Sequence, residues 1–230
     1  MRLSKRLKLI ADKVPSCDTL ADIGSDHAYV PIYLIENNIC KKALATDIKD
    51  GPNLVAQKNI KKFDMEKRIE ILKGSGLKPI KEKEVEIIII AGLGGVQITE
   101  ILENDFEKAK KSRLIILQPM NYTELVRKWL NSNGFKICDE ELIKEDNKLY
   151  VVISVVYTGK NRTFDEFDFY IGRSLIEKND PLLLEYIKRN IKKVEKILTG
   201  MQKKRMPDIF IEKRYENLLS FLKNLKEKFS

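Results

Sequence analysis

Asp22-Ile23-Gly24-Ser25-Asp26-His27-Ala28 is the segment that says most about how this chain folds. The apolar run Thr19-Leu20-Ala21 leads into it, and a helix-like stretch from Val30 to Asn38 follows it. An acid, a glycine turn and a second acid therefore fall where a strand hands over to a helix. In an α/β sheet that crossover is where nucleotide-like cofactors bind. Gly24 lets the backbone turn tightly and approach a ligand closely.

On either side of this loop the apolar periodicity alternates between strand and helix. Leu7, Ile10, Ala11 and Val14 recur at helical spacing and predict a first helix from Ser4 to Val14, with Ser4 as cap and Pro15 as stop. Five short apolar runs read as strands: Thr19–Gly24, Lys42–Ile48, Arg68–Gly74, Val85–Gly92 and Arg113–Pro119. Ile87-Ile88-Ile89-Ile90 is β-branched and unbroken, as in a strand buried on both faces. Helical stretches separate most of these runs. One begins at Gly51-Pro52, with Pro52 suited to a first turn, and one runs from Val96 to Leu102. A third spans Glu124 to Asn131, with Thr123 as the expected cap and Gly134 as the end. The alternation predicts a mostly parallel sheet with right-handed crossovers. After Gly134, two extended segments, Phe135 to Lys144 and Leu149 to Thr158, flank a tight turn at Asp146-Asn147. The sheet should therefore finish in an antiparallel hairpin.

From position 160 the character changes. Thr158-Gly159-Lys160-Asn161-Arg162 reads as a linker, which divides the chain into 1–159 and 160–230. Ile187, Ile191, Val194, Leu198 and Met201 form one heptad seam, and Ile211, Tyr215, Leu218, Leu222, Leu225 and Phe229 form another. Gly200 and Pro207 bracket the break, so an antiparallel helical hairpin is expected. This region carries 17 of the 43 Lys and Arg residues against 11 of the 34 Asp and Glu. A basic surface suits a polyanion such as RNA, although charged runs also serve simply to solvate a face. Lys188, Arg189, Lys192, Lys193 and Lys196 line up beside the first seam, and Lys203-Lys204-Arg205 lie at the tip.

The bulk composition narrows the class. No apolar run reaches the ~18–20 residues that span a bilayer, and no secretory leader is recognisable after the basic start Met1-Arg2-Leu3-Ser4-Lys5-Arg6. Cys17, Cys40 and Cys138 are odd in number and lack metal-ligand spacing. Reduced thiols in a cytoplasmic protein without a metal are expected. A monomer is expected, with no membrane partner.

The opening loop resembles the acid-x-Gly-x-Gly-x-Gly loop of S-adenosylmethionine (SAM) methyltransferases. Asp26 replaces the second glycine and Ala28 the third. In such a fold, Asp22 would hold the methionyl end of the cofactor and Gly24 would let the backbone approach it, with Ser25 and His27 also among the cofactor-binding residues. Asp47, 23 residues after Gly24, would end strand two beside Ile48 and accept from the ribose hydroxyls. Gly74-Ser75-Gly76 and Ala91-Gly92 would surround the rest. NAD binding fits less well, because G-x-G-x-x-G is missing.

Leu20-Ala21-Asp22-Ile23-Gly24-Ser25-Asp26-His27-Ala28-Tyr29-Val30-Pro31 is also similar to the first motif of TrmK-type bacterial tRNA (adenine-N1)-methyltransferases. So are Asp50-Gly51-Pro52, Ile90-Ala91-Gly92-Leu93-Gly94-Gly95, Leu117-Gln118-Pro119 and Asn179-Asp180-Pro181-Leu182-Leu183-Leu184-Glu185-Tyr186. The resemblance covers nearly the whole chain. It implies a class I methyltransferase domain of α/β class with a coiled-coil-like helical appendage, acting on N1 of the adenine at nucleotide 22 of tRNA. Asp26 and His27 become catalytic candidates: Asp26 to steady the ring that gains charge, unless it merely caps the following helix, and His27 to orient cofactor or substrate. Tyr29 or Tyr122 would stack on the base, and Gly94, Gln118 and Asn121 would wall its pocket. Lys188, Arg189, Lys192 and Lys193 would grip tRNA. Ser75 stands where many methyltransferases place Asp or Asn, so adenine recognition should rest more on backbone. A methyltransferase of other substrates and a non-catalytic RNA-binding module are the alternatives.

Overall fold

The computed structural model describes residues 1–81, 85–160, 165–202 and 208–230. It divides into two units, Met1–Thr163 and Phe164–Ser230. Lys203-Lys204-Arg205, Pro207 and the linker residues Asn161 and Arg162 lie outside the described residues.

The first unit runs α1 (Lys5–Asp12), β1 (Cys17–Ile23), α2 (Tyr29–Glu36), β2 (Cys40–Asp47), α3 (Asp50–Lys62), β3 (Ile69–Lys73), β4 (Ile87–Leu93), α4 (Gly95–Asn104), α5 (Phe106–Ala109), β5 (Leu114–Pro119), α6 (Thr123–Ser132), β6 (Phe135–Glu145) and β7 (Lys148–Tyr157). The strands form one seven-stranded sheet in the order β3-β2-β1-β4-β5-β7-β6. Strands β1 to β5 are parallel, and β7 runs antiparallel to both β5 and β6. The chain leaves β1 toward β2 and β3, then returns to lay β4 on the other side of β1. That reversal makes the carboxyl ends of β1 and β4 the topological switch point, where open α/β sheets bind ligands.

Local chemistry explains each of these elements. Ser4 accepts from Leu7 N and caps α1, whose residues Leu9, Ile10 and Ala11 are buried. Ile87 to Ile90 are wholly buried, as helices on both faces of the sheet require. Asp146 and Asn147 both have positive φ, 46° and 59°, which matches a type I′ turn and the twist of β6 and β7. A bulge between Ile137 and Asp139 interrupts the β6–β7 ladder.

One local expectation fails and one open alternative closes. Thr123 does not cap α6: Tyr122 takes the cap position at φ 48°, and Thr123 is already the first helical residue. Asp26 does not cap α2, because the cap residue is Ala28, at φ 55°, with no side-chain cap bond. Ala28 thus holds the left-handed conformation that the third glycine of the loop pattern would supply, despite the ~1–2 kcal/mol this costs a residue with a Cβ. The cap position therefore falls two residues beyond Asp26, and the helix starts at Tyr29.

The second unit contains α7 (Asp168–Ile171), α8 (Arg173–Glu177), α9 (Leu183–Gln202) and α10 (Ile209–Lys228). The last two are each 20 residues, about 30 Å long. Ile187, Ile191, Val194 and Leu198 are buried along α9, and Leu218, Leu222 and Leu225 along α10. Lys223 Nζ stands 3.4 Å from Glu195 Oε1 between the two helices. Asp208 caps α10 by accepting from Phe210 N and Ile211 N. The seam does not extend to the start of α10: Ile211 is 44% exposed beside Ile209 and Phe210, which are also exposed. Met201, at the matching end of α9, is only half-buried, so that end offers little apolar surface to cover Ile211.

Candidate active site

A cleft of about 680 Å³ opens at the carboxyl edge of the sheet. Asp22 to Val30, Thr46 to Lys49, Gly74 to Gly76 and Ala91 to Leu93 line it, with Arg6 and Leu7 from α1 and Gln97, Glu100 and Asn104 from α4. Four neighbouring strand ends therefore converge on one space.

Asp22 is buried at the end of β1, and its Oδ2 accepts from Ser25 Oγ at 2.7 Å. Burial pushes its carboxyl up to about 6, and the Ser25 hydroxyl only partly offsets this. No cation pairs with it among the described residues. Gly24 turns at φ 74°, and a Cβ there would press on the Leu93 side chain at 3.3 Å. Gly24 N and Ser25 N both donate to Thr46 O, at 2.8 and 3.0 Å, which carries the β1–β2 pairing into the loop.

Asp47 ends β2. Its Oδ1 accepts from Lys49 N at 2.8 Å, which fixes the carboxylate plane, while Oδ2 makes no hydrogen bond to the described residues. Ile48, 55% exposed, follows it. Gly74 N donates to Asp47 O at 3.1 Å, and Thr46 Oγ1 donates to Gly76 O at 3.2 Å, so the loops after β2 and β3 are laced together. Ser75 lines the cleft and is exposed. At Gly92 the β4 backbone bulges at φ 77°.

Asp26, His27 and Tyr29 form the wall between Asp22 and α2. The Asp26 carboxylate is 64% exposed, and its Oδ2 stands 3.6 Å from His27 Nε2, beyond hydrogen-bond range. His27 Nδ1 is buried without a partner among the described residues. The His27 ring stacks on Tyr29, and Asn59 Nδ2 donates to the His27 carbonyl at 3.0 Å.

This wall, an uncompensated acid, a glycine cradle and a second acid on the neighbouring strand are the parts a sulfonium nucleoside requires. The family model described as a methyltransferase domain matches residues 3–153. The Bacillus subtilis tRNA (adenine(22)-N(1))-methyltransferase is 36% identical over 172 residues, covering 75% of this chain and 72% of the relative.

This chain belongs to that methyltransferase family. The crystal structure of the B. subtilis m1A22 tRNA methyltransferase TrmK superposes with a TM-score of 0.85 at 30% identity, covering 100% of this chain and 99% of that one. Mycoplasma capricolum TrmK, in complex with S-adenosyl-homocysteine, superposes at 0.83 with 29% identity and full coverage of both chains. The likeness extends over both units, so the helical pair is part of the family's architecture.

The expected site residues of the first unit divide into two groups. Asp22, Gly24, Ser25, Asp26, His27, Tyr29, Asp47, Ile48, Gly74, Ser75, Gly76, Ala91 and Gly92 line the cleft. Gly94, Gln118, Asn121 and Tyr122 do not. Gln118 is fully buried: its Oε1 accepts from Arg6 Nη1 at 2.6 Å and its Nε2 donates to Pro119 O at 2.9 Å. It therefore acts on the cleft through Arg6 and cannot itself wall a base pocket. Asn121 accepts from Gly95 N through both its carbonyl and its Oδ1, at 3.1 and 3.2 Å. Tyr122 is 53% exposed on the neighbouring rim. Lys188, Lys192 and Lys193 are exposed on α9, and Arg189 Nη2 donates to Glu185 Oε1 at 2.7 Å.

Arg6 lines the cleft without any signal in the sequence. It sits in a basic start with no motif around it, and only the fold brings α1 to the sheet edge. Gln97, Glu100 and Asn104 were missed because one helical face of α4 carries no signature of its own.

Proposed function

We propose that this protein methylates N1 of the adenine at nucleotide 22 of tRNA, giving 1-methyladenosine. The observation that carries this reading is the Asp22–Tyr29 wall. It joins an uncompensated buried acid to an exposed acid and a stacked ring pair in one cleft, within a chain that aligns end to end with TrmK. S-adenosyl-L-methionine, when bound, supplies the methyl group from a sulfonium centre.

Asp22 suits the ammonium of the methionyl end, Asp47 Oδ2 the ribose hydroxyls, and Ile48 an adenine face. Neutral adenine presents a lone pair at N1, so no group need remove a proton from it. The ring gains positive charge as it is methylated, and a carboxylate near that charge lowers the barrier. Asp26 is available for this because it neither caps α2 nor hydrogen-bonds to His27. Tyr29, backed by His27, offers a platform for the base. A base paired or stacked in folded tRNA must be extruded to reach such a cleft. Lys188, Lys192 and Lys193, with Arg189, offer phosphates a cationic helix face. Two further points rest on the same reading: the α9 and α10 seams close within one chain, which supports a monomer, and the three free cysteines suit a reducing cytoplasm.

The deciding experiment is nucleoside mass spectrometry of unmodified tRNA incubated with protein and SAM. A 1-methyladenosine signal that disappears when adenine 22 is replaced is the expected result. Methylation elsewhere, or none, would sink the reading.

A further inference from the structure

Arg6 is held over the β4 edge by three strands of the sheet. Its Nη1 donates to Gln118 Oε1 on β5 at 2.6 Å, and its Nε stands 3.8 Å from Glu145 Oε2 on β6. Its guanidinium carbon lies 5.4 Å from the centre of the Tyr150 ring on β7, and its backbone N donates to Glu145 Oε1 at 3.0 Å. Gln118 cannot turn away, because its own Nε2 is engaged by the Pro119 carbonyl. The guanidinium lines the cleft beside Gly92, where a Cβ would come 3.8 Å from Nη1. Its Nη2 makes no hydrogen bond to the described residues, and about a fifth of the side chain, 22%, is open to solvent. An arginine serving only as a strut would not be expected to leave an edge open to a ligand cleft.

A fixed cation in this place is poorly suited to the methylated base, which itself becomes positive. It calls for an anion. The cofactor-facing groups Asp22, Asp47 and Gly74 to Gly76 end or follow β1, β2 and β3, with Ala91 and Gly92 on β4, whereas the bonds that secure Arg6 come from β5, β6 and β7, on the far side of β4. With strands about 4.8 Å apart, β5 lies roughly 10 Å from β1. An RNA entering from that side would bring its backbone phosphates to this edge, and guanidinium forks match phosphate oxygens. We propose that Arg6, positioned by Gln118, anchors a backbone phosphate flanking the nucleotide to be methylated. The inference rests on the tRNA-methylation reading above and adds a residue to it.

The test compares wild type, Arg6→Gln and Arg6→Lys in two binding measurements. Calorimetry with SAM should give dissociation constants within about twofold for all three, which also shows that the variants fold. Titration with unmodified tRNA across a salt series should find Arg6→Gln about tenfold weaker (~1.4 kcal/mol), with its log K against log salt slope shallower by about one unit. Arg6→Lys, which keeps the charge, should retain the slope. A third arm uses tRNA carrying a neutral methylphosphonate on either side of nucleotide 22. One of the two should weaken wild type about tenfold and leave Arg6→Gln unaffected. The proposal is overturned if neither methylphosphonate weakens wild type, if both proteins lose equally, or if Arg6→Gln loses SAM affinity with its tRNA slope unchanged. The last result would assign Arg6 to the cofactor carboxylate. Nucleoside analysis of the wild-type reaction separates failure of this inference from failure of the methylation reading itself.

Discussion

The rings of His27 and Tyr29 stack with centroids 5.0 Å apart and planes 7° from parallel. They flank Ala28, whose φ of 55° turns the chain so that residues two apart present their rings together. The pair is thus a product of the loop that replaces the usual glycine pattern.

If Tyr29 supports the target base, Tyr29→Ala should lower kcat/KM for tRNA by roughly 5- to 150-fold, the range expected for a base–aromatic stack of ~1–3 kcal/mol. Tyr29→Phe keeps the ring and should remain near wild type. Steady-state kinetics on a tRNA transcript, with SAM affinity measured in parallel, checks both.

Asp26 makes no cap, so removing its carboxylate should leave the fold alone. Asp26→Ala is expected to stay within about 0.5 kcal/mol of wild type in chemical denaturation. Its SAM affinity should stay within about tenfold (~1.4 kcal/mol), while most turnover is lost. Unchanged single-turnover methylation would remove Asp26 from the mechanism.

Asp22 couples stability to pH. Its carboxyl is raised to about 6 in the fold, so the folded chain keeps a proton that the unfolded chain releases from about pH 4 upward. Stability from this group is complete below about pH 4, falls as pH rises toward about 6, and is lost above it, on the order of 3 kcal/mol in all. Asp22→Asn should flatten that decline and be more stable than wild type at about pH 7.5 without ligand. An ammonium placed at Asp22 favours the ionised form, so wild-type SAM affinity should rise between about pH 5 and 7, by at most about tenfold per unit. The Asn variant should bind weakly and without that rise. Thermal melts and calorimetry over roughly pH 4–8 test both halves.

The α9 lysines should act through phosphates. Lys188→Gln, Lys192→Gln and Lys196→Gln together should reduce the salt slope of tRNA binding by about two to three units, close to one for each phosphate no longer neutralised. SAM affinity should not change. An unaltered slope would leave these residues as a solvated face only.

Much of this protein could be read from sequence because its signals are local. The isoleucine run of β4, the Asp146-Asn147 turn and the seam of α9 each announce themselves within a few residues. The Asp22–Ala28 loop did so for the site, with the sheet edge following from strand alternation. What failed to read was set by tertiary geometry. Thr123 is a good cap by type, but the α6 start is fixed by Tyr122 in a left-handed turn that holds Gly95. Gln118 looked like a pocket residue because it ends a strand at the right edge, yet burial turns its amide onto Arg6. Arg6 itself is separated from Gln118 by 112 positions, and no periodicity links the two.

Gly95 meets the loop after β5 so closely that a Cβ would fall 2.6 Å from the Tyr122 carbonyl oxygen and 2.7 Å from that of Asn121. With the bonds from Gly95 N to Asn121, this packs the loops after β4 and β5 directly against each other. The ordering entropy of that rim is therefore spent during folding and not at encounter. If a loop of RNA docks against this rim, it meets a template already set, so the slow rearrangement of recognition falls to the nucleic acid, and a tRNA whose target region opens readily should be captured faster than one whose target stays stacked.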